Sequence, residues 1–136
     1  MSDLLDLAGM GLEDAPEPKV IDAGKEAKLR IMEVRRDTDK NDKEYLMPRF
    51  EVVGEPTAMD FTDFMYIPDP GWMDEKQLVR NKDKLRKFLS AFGVDLTSTI
   101  DLTSDLDGKE GWATLGVRSS DEFGDQNSIR KYLAKR

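Results

Sequence analysis

The chain has 136 residues, a net charge of −7, and neither cysteine nor histidine. That length makes one domain with one core, and the two missing residue types exclude disulfides, thiolate zinc sites, Ser-His-Asp and Cys-His nucleophiles and the usual general base. Apolar runs are only a few residues long, so no membrane span or secretory signal is read and a cytoplasmic protein is expected.

The acid excess is uneven. Residues 1–17 contain Asp3, Asp6, Glu13, Asp14 and Glu17 and no base, whereas the other 119 residues hold 23 acids against 21 bases. The folding part is therefore close to balanced, and the placing of its bases matters more than their total. Residues 1–18 read as a flexible, disordered acidic tail, and residues 19–136 as the domain. Leu4, Leu5, Leu7, Met10 and Leu12 are unusual for a pure solubiliser. The segment is either a frayed terminus or an acidic, apolar docking piece that folds on a partner or covers the protein's own basic groove.

Residues 26–36 (EAKLRIMEVRR) are strand-like after the Asp22-Ala23-Gly24 turn. Leu29 and Ile31 point one way, Lys28, Arg30 and Met32 the other, and the alternation blurs at Glu33-Val34, as at a bulge. Residues 37–43 form a polar hairpin loop. Its Asp37-x-Asp39-x-Asn41 spacing is calcium-like, but Asp42 stands where glycine is needed and Pro48 where the bidentate Glu belongs, so a solvated turn is expected and no metal. Residues 45–53 make a second strand, with Leu46, Phe50 and Val52 on one face and Tyr45, Met47, Arg49 and Glu51 on the other. Pro48 lacks a ladder donor and implies an edge or a bulge. Residues 58–67 read as a third strand with apolar residues on both faces, Phe61 and Met65 against Phe64 and Tyr66. Pro68-Asp69-Pro70-Gly71 stops it, and Trp72 leads on.

The spacing predicts a helix over 73–93. Leu78, Leu85, Phe88, Leu89 and Phe92 fall on one stripe, Asp74 and Glu75 suit the N-terminus, Arg86 and Lys87 lie towards the other end, and Gly93 suits the C-terminus. After a connector, residues 112–118 alternate: Ala113, Leu115 and Val117 inward, Trp112, Thr114, Gly116 and Arg118 outward. Residues 128–133 close the order, with Ile129 and Leu133 on one face and Arg130 and Tyr132 on the other. The basic end, Lys135-Arg136, is expected to fray.

Three strands, a helix and two strands match an OB-fold, a mainly β, five-stranded barrel with one helix between strands 3 and 4. The alternative is another small α+β sheet with one covering helix. The faces away from the expected core carry Lys28, Arg30, Tyr45, Arg49, Trp112, Arg118, Arg130 and Tyr132. Single-stranded nucleic acid needs such a mixture, cations for phosphates and flat rings for bases. A barrel's outer faces point several ways, so all eight cannot line one groove. The alternative is an amphipathic, solvated strand face whose aromatics serve strand propensity.

Several pieces resemble a family of small phage-encoded proteins from replication and recombination cassettes, similar to OB-fold single-stranded-DNA-binding proteins. They are Gly24-Lys25-Glu26-Ala27-Lys28-Leu29-Arg30-Ile31, Tyr45-Leu46-Met47-Pro48-Arg49-Phe50-Glu51-Val52, Lys84-Leu85-Arg86-Lys87-Phe88-Leu89-Ser90-Ala91-Phe92-Gly93, Asp107-Gly108-Lys109 before Trp112-Ala113, and Gly124-Asp125-Gln126-Asn127-Ser128-Ile129. Their order and spacing carry the resemblance over most of residues 24–133. It implies a non-enzymatic coat on single-stranded DNA, with replication or recombination proteins as further partners and no cofactor. Many such phage proteins end in an acidic tail that recruits partners; this chain ends in Lys135-Arg136 and carries its acids in front. Two other functions remain open. Pro68-Asp69 with Asp107-Gly108-Lys109 echoes a magnesium-dependent nuclease, which needs two carboxylates and a lysine around the metal. The acidic surface would also suit a protein-interaction module that imitates DNA.

Overall fold

A computed structural model describes residues 3–134; Lys135-Arg136 and the first two residues of the acidic segment lie outside them. The elements run β1 (Glu26–Thr38), β2 (Glu44–Val52), β3 (Phe61–Thr62), β4 (Met65–Tyr66), α1 (Glu75–Ala91), β5 (Glu110–Ser120) and β6 (Gly124–Leu133). The sheet is antiparallel, in the order β3-β2-β1-β5-β6, with β4 also on β2. Among the described residues no helix is long and apolar enough to cross a membrane.

β1 is the centre of the sheet. Ala27, Leu29 and Ile31 point inward, the register slips between Ile31 and Glu33, and Val34 then takes up the inward face. The blurred alternation at Glu33-Val34 is thus a bulge, which lets one long strand bend. β2 buries Leu46, Pro48, Phe50 and Val52. Its Pro48 carbonyl accepts the Asp63 N–H at 3.0 Å, so the missing proline donor falls on the same side, at the break between β3 and β4.

The strands expected to make a five-stranded, partly open barrel form an open sheet. The third strand is split into two two-residue pieces, giving six strands, and among the described residues no ladder joins β3 or β4 to β6. A side-chain bond spans that seam instead: the Tyr132 hydroxyl donates to Asp63 at 2.6 Å. Phe61 and Met65 are buried on either side of the break, so inward parity survives it.

Tyr132 also corrects the face assignment of the last strand. Thr114 pairs with Lys131 but Leu115 with Ile129, which leaves Arg130 as the extra residue of a bulge. Ile129 and Tyr132 therefore both face inward, Tyr132 at 6% exposure, and Leu133 stands opposite Trp112. Val117, expected inside, is 39% exposed because the β5–β6 hairpin runs beyond the core.

Helix α1 starts at a capping box: Asp74 accepts the Gln77 N–H at 2.7 Å, and Gln77 accepts the Asp74 N–H at 3.0 Å. Its stripe closes the core. Phe50 lies flat against Phe92, with centroids 5.6 Å apart and 11° between planes, and Phe61, Phe88 and Tyr132 surround it. Leu106, Ile100 and Leu102 of the connector complete the packing.

The acidic segment is exposed from residue 3 to Lys19, with two short 3-10 turns at Ala8–Met10 and Leu12–Asp14. It joins the domain where Lys19 bridges Ala58, beside Arg49 and Asp60.

Candidate nucleic-acid interface

The eight residues expected to bind do not share one surface. Register places Lys28 opposite Trp112, and Arg30 between Glu51 and Glu110, on the outer sheet face. There Arg30 holds Glu51 at 2.7 Å through Nη1 and Glu110 at 3.1 and 2.7 Å through Nε and Nη2, while Lys28 holds Glu110 at 3.2 Å. Two cations face two carboxylates, so the group is close to neutral. Glu110 holds the Arg30 guanidinium above its usual range, with Glu51 adding to it, and Arg30 and then Lys28 hold the Glu110 carboxyl below its own. Trp112 is half-buried at this end, over a polar hollow with Lys19 and Lys25. Arg49 is paired with Asp60 at 3.2 Å. Arg130, on its bulge, lies against the Gly24 turn. Tyr132 is in the core and offers no face for stacking.

Tyr45 and Arg118 belong to a different place, at the hairpin end of the sheet. The pairing Tyr45↔Tyr66 between β2 and β4 puts both rings on the outer face. Phe64 stands in the break with the same parity, and its ring stacks on Tyr45, centroids 4.8 Å apart at 30°. Phe64 meets Tyr66 edge-on at 5.1 Å, and Tyr66 meets Trp72 edge-on at 5.2 Å. Four rings thus form one row, Tyr45, Phe64, Tyr66, Trp72, of which Phe64 is 39% exposed and the others are half-buried.

Local chemistry fixes the row. Asp39, the residue that looked calcium-like, accepts the backbone N–H groups of Asn41 and Lys43 and the Tyr66 hydroxyl at 2.8, 2.9 and 2.9 Å. The Lys43 N–H is the leading cause that holds its carboxyl below the usual range, and Asp39 in turn raises the Tyr66 hydroxyl. At the far end, Asp69 accepts the Gly71 N–H at 2.7 Å through its side chain and the Met73 N–H at 3.1 Å through its carbonyl, which fixes the turn that carries Trp72.

Cations border the row. Lys43 lies over the Trp72 ring at 5.0 Å, a cation–π distance. Lys84 donates to the Phe64 carbonyl at 2.7 Å and approaches Asp63 at 3.4 Å. Beside Phe64 a cleft of about 450 Å³ opens along the seam, lined by Met47, Asp63, Lys84, Arg118 and Ser128. Arg118 is exposed and has no ion-pair partner among the described residues.

Strand alternation does not single out Phe64, Tyr66, Trp72, Lys43 and Lys84. Apolar residues on both parities of 58–67 hid the outward pair. A usable signal was there, since Phe64 and Tyr66 share parity and flank Met65, the residue that has to be inside. No protein-family model matches the chain, and no curated protein matches it.

Proposed function

We propose that the protein binds single-stranded DNA with little sequence preference, as a coat and not as an enzyme. The observation that carries this reading is the row of four rings with Lys43, Lys84 and Arg118 around it. Bases present flat faces whatever their identity, and each stacked base contributes about 1–3 kcal/mol. Phosphates left at the border of the row meet ammonium and guanidinium groups, and affinity then falls with salt, with a log–log slope of about −0.7 per phosphate contacted.

The connectivity supports the same reading. If β3 and β4 are taken as one split strand, three strands precede the helix and two follow it, with β1 between β2 and β5, which supports an OB-fold-like arrangement with an open seam. OB-folds bind oligonucleotides on the face of their second and third strands, between the first hairpin loop and the last. The rings stand on β2 and on the split third strand, and the Arg118 hairpin lies across the cleft. On the resemblance to phage replication and recombination proteins, the coat would act in a host cell's cytoplasm, and the exposed leucines of the acidic segment would recruit partner proteins.

The nuclease reading gains no support. Asp69 is engaged by its own turn through Gly71, and Asp107 stands exposed among irregular turns and not on a strand that could aim it.

Titration with labelled oligo-dT at low salt tests the reading. Phe64→Ala is expected to weaken binding by 1–3 kcal/mol, roughly 5- to 150-fold, with duplex DNA bound far more weakly by either protein. Wild-type affinity from Phe64→Ala, or equal affinity for duplex, would contradict it.

A further inference from the structure

Six of the 17 residues of α1 are Lys or Arg and two are acidic, in a chain of net charge −7. Lys76, Arg80 and Lys84 stand four residues apart, so they form one stripe, rising ~6 Å per step and ~12 Å in all. With 3.6 residues per turn the stripe drifts round the helix, from the side opposite the core-facing line of Leu85, Phe88 and Leu89 at Lys76 to the edge of that line at Lys84. Lys84 locates it, because its ammonium donates to the carbonyl of Phe64, inside the ring row. At the other end Trp72, the last ring, precedes Lys76 by only four residues.

Lys84 thus ties the stripe to Phe64, and the four-residue link keeps the Lys76 backbone within ~14 Å of Trp72. The lengths agree, because the ring centroids step by 5.2 and then 5.1 Å from Trp72 through Tyr66 to Phe64. The cations also differ in how they are engaged. Arg86 and Lys87 both pair with Asp83, whereas Lys76 and Arg80 are exposed and have no ion pair among the described residues.

We propose that Lys76, Arg80 and Lys84 form a rail for the phosphates of the same DNA strand whose bases stack on Trp72, Tyr66 and Phe64. Helix α1 then closes the core with its apolar side and holds the polyanion with residues that run from its solvent side to Lys84 at the edge of the core line. The inference rests on the single-strand-binding reading and adds a second element to that site. Bases on the rings and phosphates on the helix divide the strand as its chemistry divides, flat apolar faces on one side and charge on the other.

The test compares two double variants of the full chain, Lys76→Glu with Arg80→Glu, and Lys82→Glu with Arg86→Glu. All four positions are exposed on the same helix, and both pairs change the charge equally, but the second pair lies on the opposite flank. Labelled oligo-dT is titrated across a salt series, with the thermal midpoint of each variant checked. The first pair is expected to weaken binding more than tenfold at low salt and to lower the log–log slope by roughly 1.4, two contacts' worth. The second pair should do far less. Equal losses from both pairs would reduce the effect to bulk charge and overturn the rail, as would wild-type affinity from the first pair. If Phe64→Ala still loses binding in that case, the single-strand reading stands without the rail. If the wild-type chain does not bind oligo-dT, both fall.

Discussion

Tyr132 donates its hydroxyl to Asp63 from a position that is 6% exposed. Burial, and then the nearby Asp63 charge, push its ionisation well above the ordinary tyrosine value. A group raised in this way stabilises the fold fully below its unfolded pKa of ~10, and that contribution is lost as pH climbs through the raised folded value. Tyr132→Phe is therefore expected to destabilise the protein by about 1–2 kcal/mol at neutral pH, because a carboxylate loses a buried donor. It should also flatten the loss of stability above pH ~10. Urea midpoints at neutral and alkaline pH check both, and unchanged midpoints would contradict the assignment. At this scale residue type was a poor guide to availability. Lys28 and Arg30 do face outward, as their alternation indicates, but the strand register brings Glu110 to them from 80 residues away. Parity identifies a face; it does not reveal which charges on that face are already paired.

The elements owe their placing to two irregularities and one close contact. Gly111, the second residue of β5, lies where the C-terminus of α1 comes against the strand: a Cβ there would lie 2.4 Å from the Ala91 carbonyl oxygen and 3.0 Å from the Phe92 ring. Neither backbone can yield without moving Phe92 off Phe50. Gly111→Ala is accordingly expected to cost about 1–3 kcal/mol by overpacking, read as a lowered thermal midpoint, whereas Gly108→Ala meets no atom and is strained only through its positive φ of 83°. A midpoint unchanged in Gly111→Ala would contradict the close approach. The helix, its acidic start and the bulge of β1 were legible because each leaves a local mark: a stripe, a cap, a blurred alternation. The bulge of β6 leaves none. Ile129 can share a face with Leu133 by simple alternation or with Tyr132 through one extra residue, and only the partner strand decides. Its inward Ala113 and Leu115 are two apart, so Tyr132 and Ile129, three apart, fit them only with Arg130 set aside. The split of the third strand was half visible: Pro48, which faces the break, marks a missing ladder donor, but the bond that the Tyr132 hydroxyl donates to Asp63 there comes from 69 residues on.

Over the whole molecule, the charge is sorted by region. The exposed acidic segment leaves the domain at Pro16 and Pro18 beside Arg49, the outer face near Trp112 is close to neutral, and among the described residues Arg118, Lys76 and Arg80 make no ion pair. A net charge of −7 is therefore no bar to the polyanion binding proposed above, since pairing within a Debye length of ~8 Å decides what an approaching phosphate meets. The two tryptophans stand at opposite ends of this arrangement, Trp72 in the ring row and Trp112 beside the balanced charges. Their fluorescence is the most direct test of where the strand lies. In Trp112→Phe, oligo-dT should still quench the remaining emission in a saturable way that weakens with salt, and in Trp72→Phe the quenching should be largely lost. Quenching that disappears with Trp112, or no quenching of either variant at low salt, would contradict the ring row as the binding site.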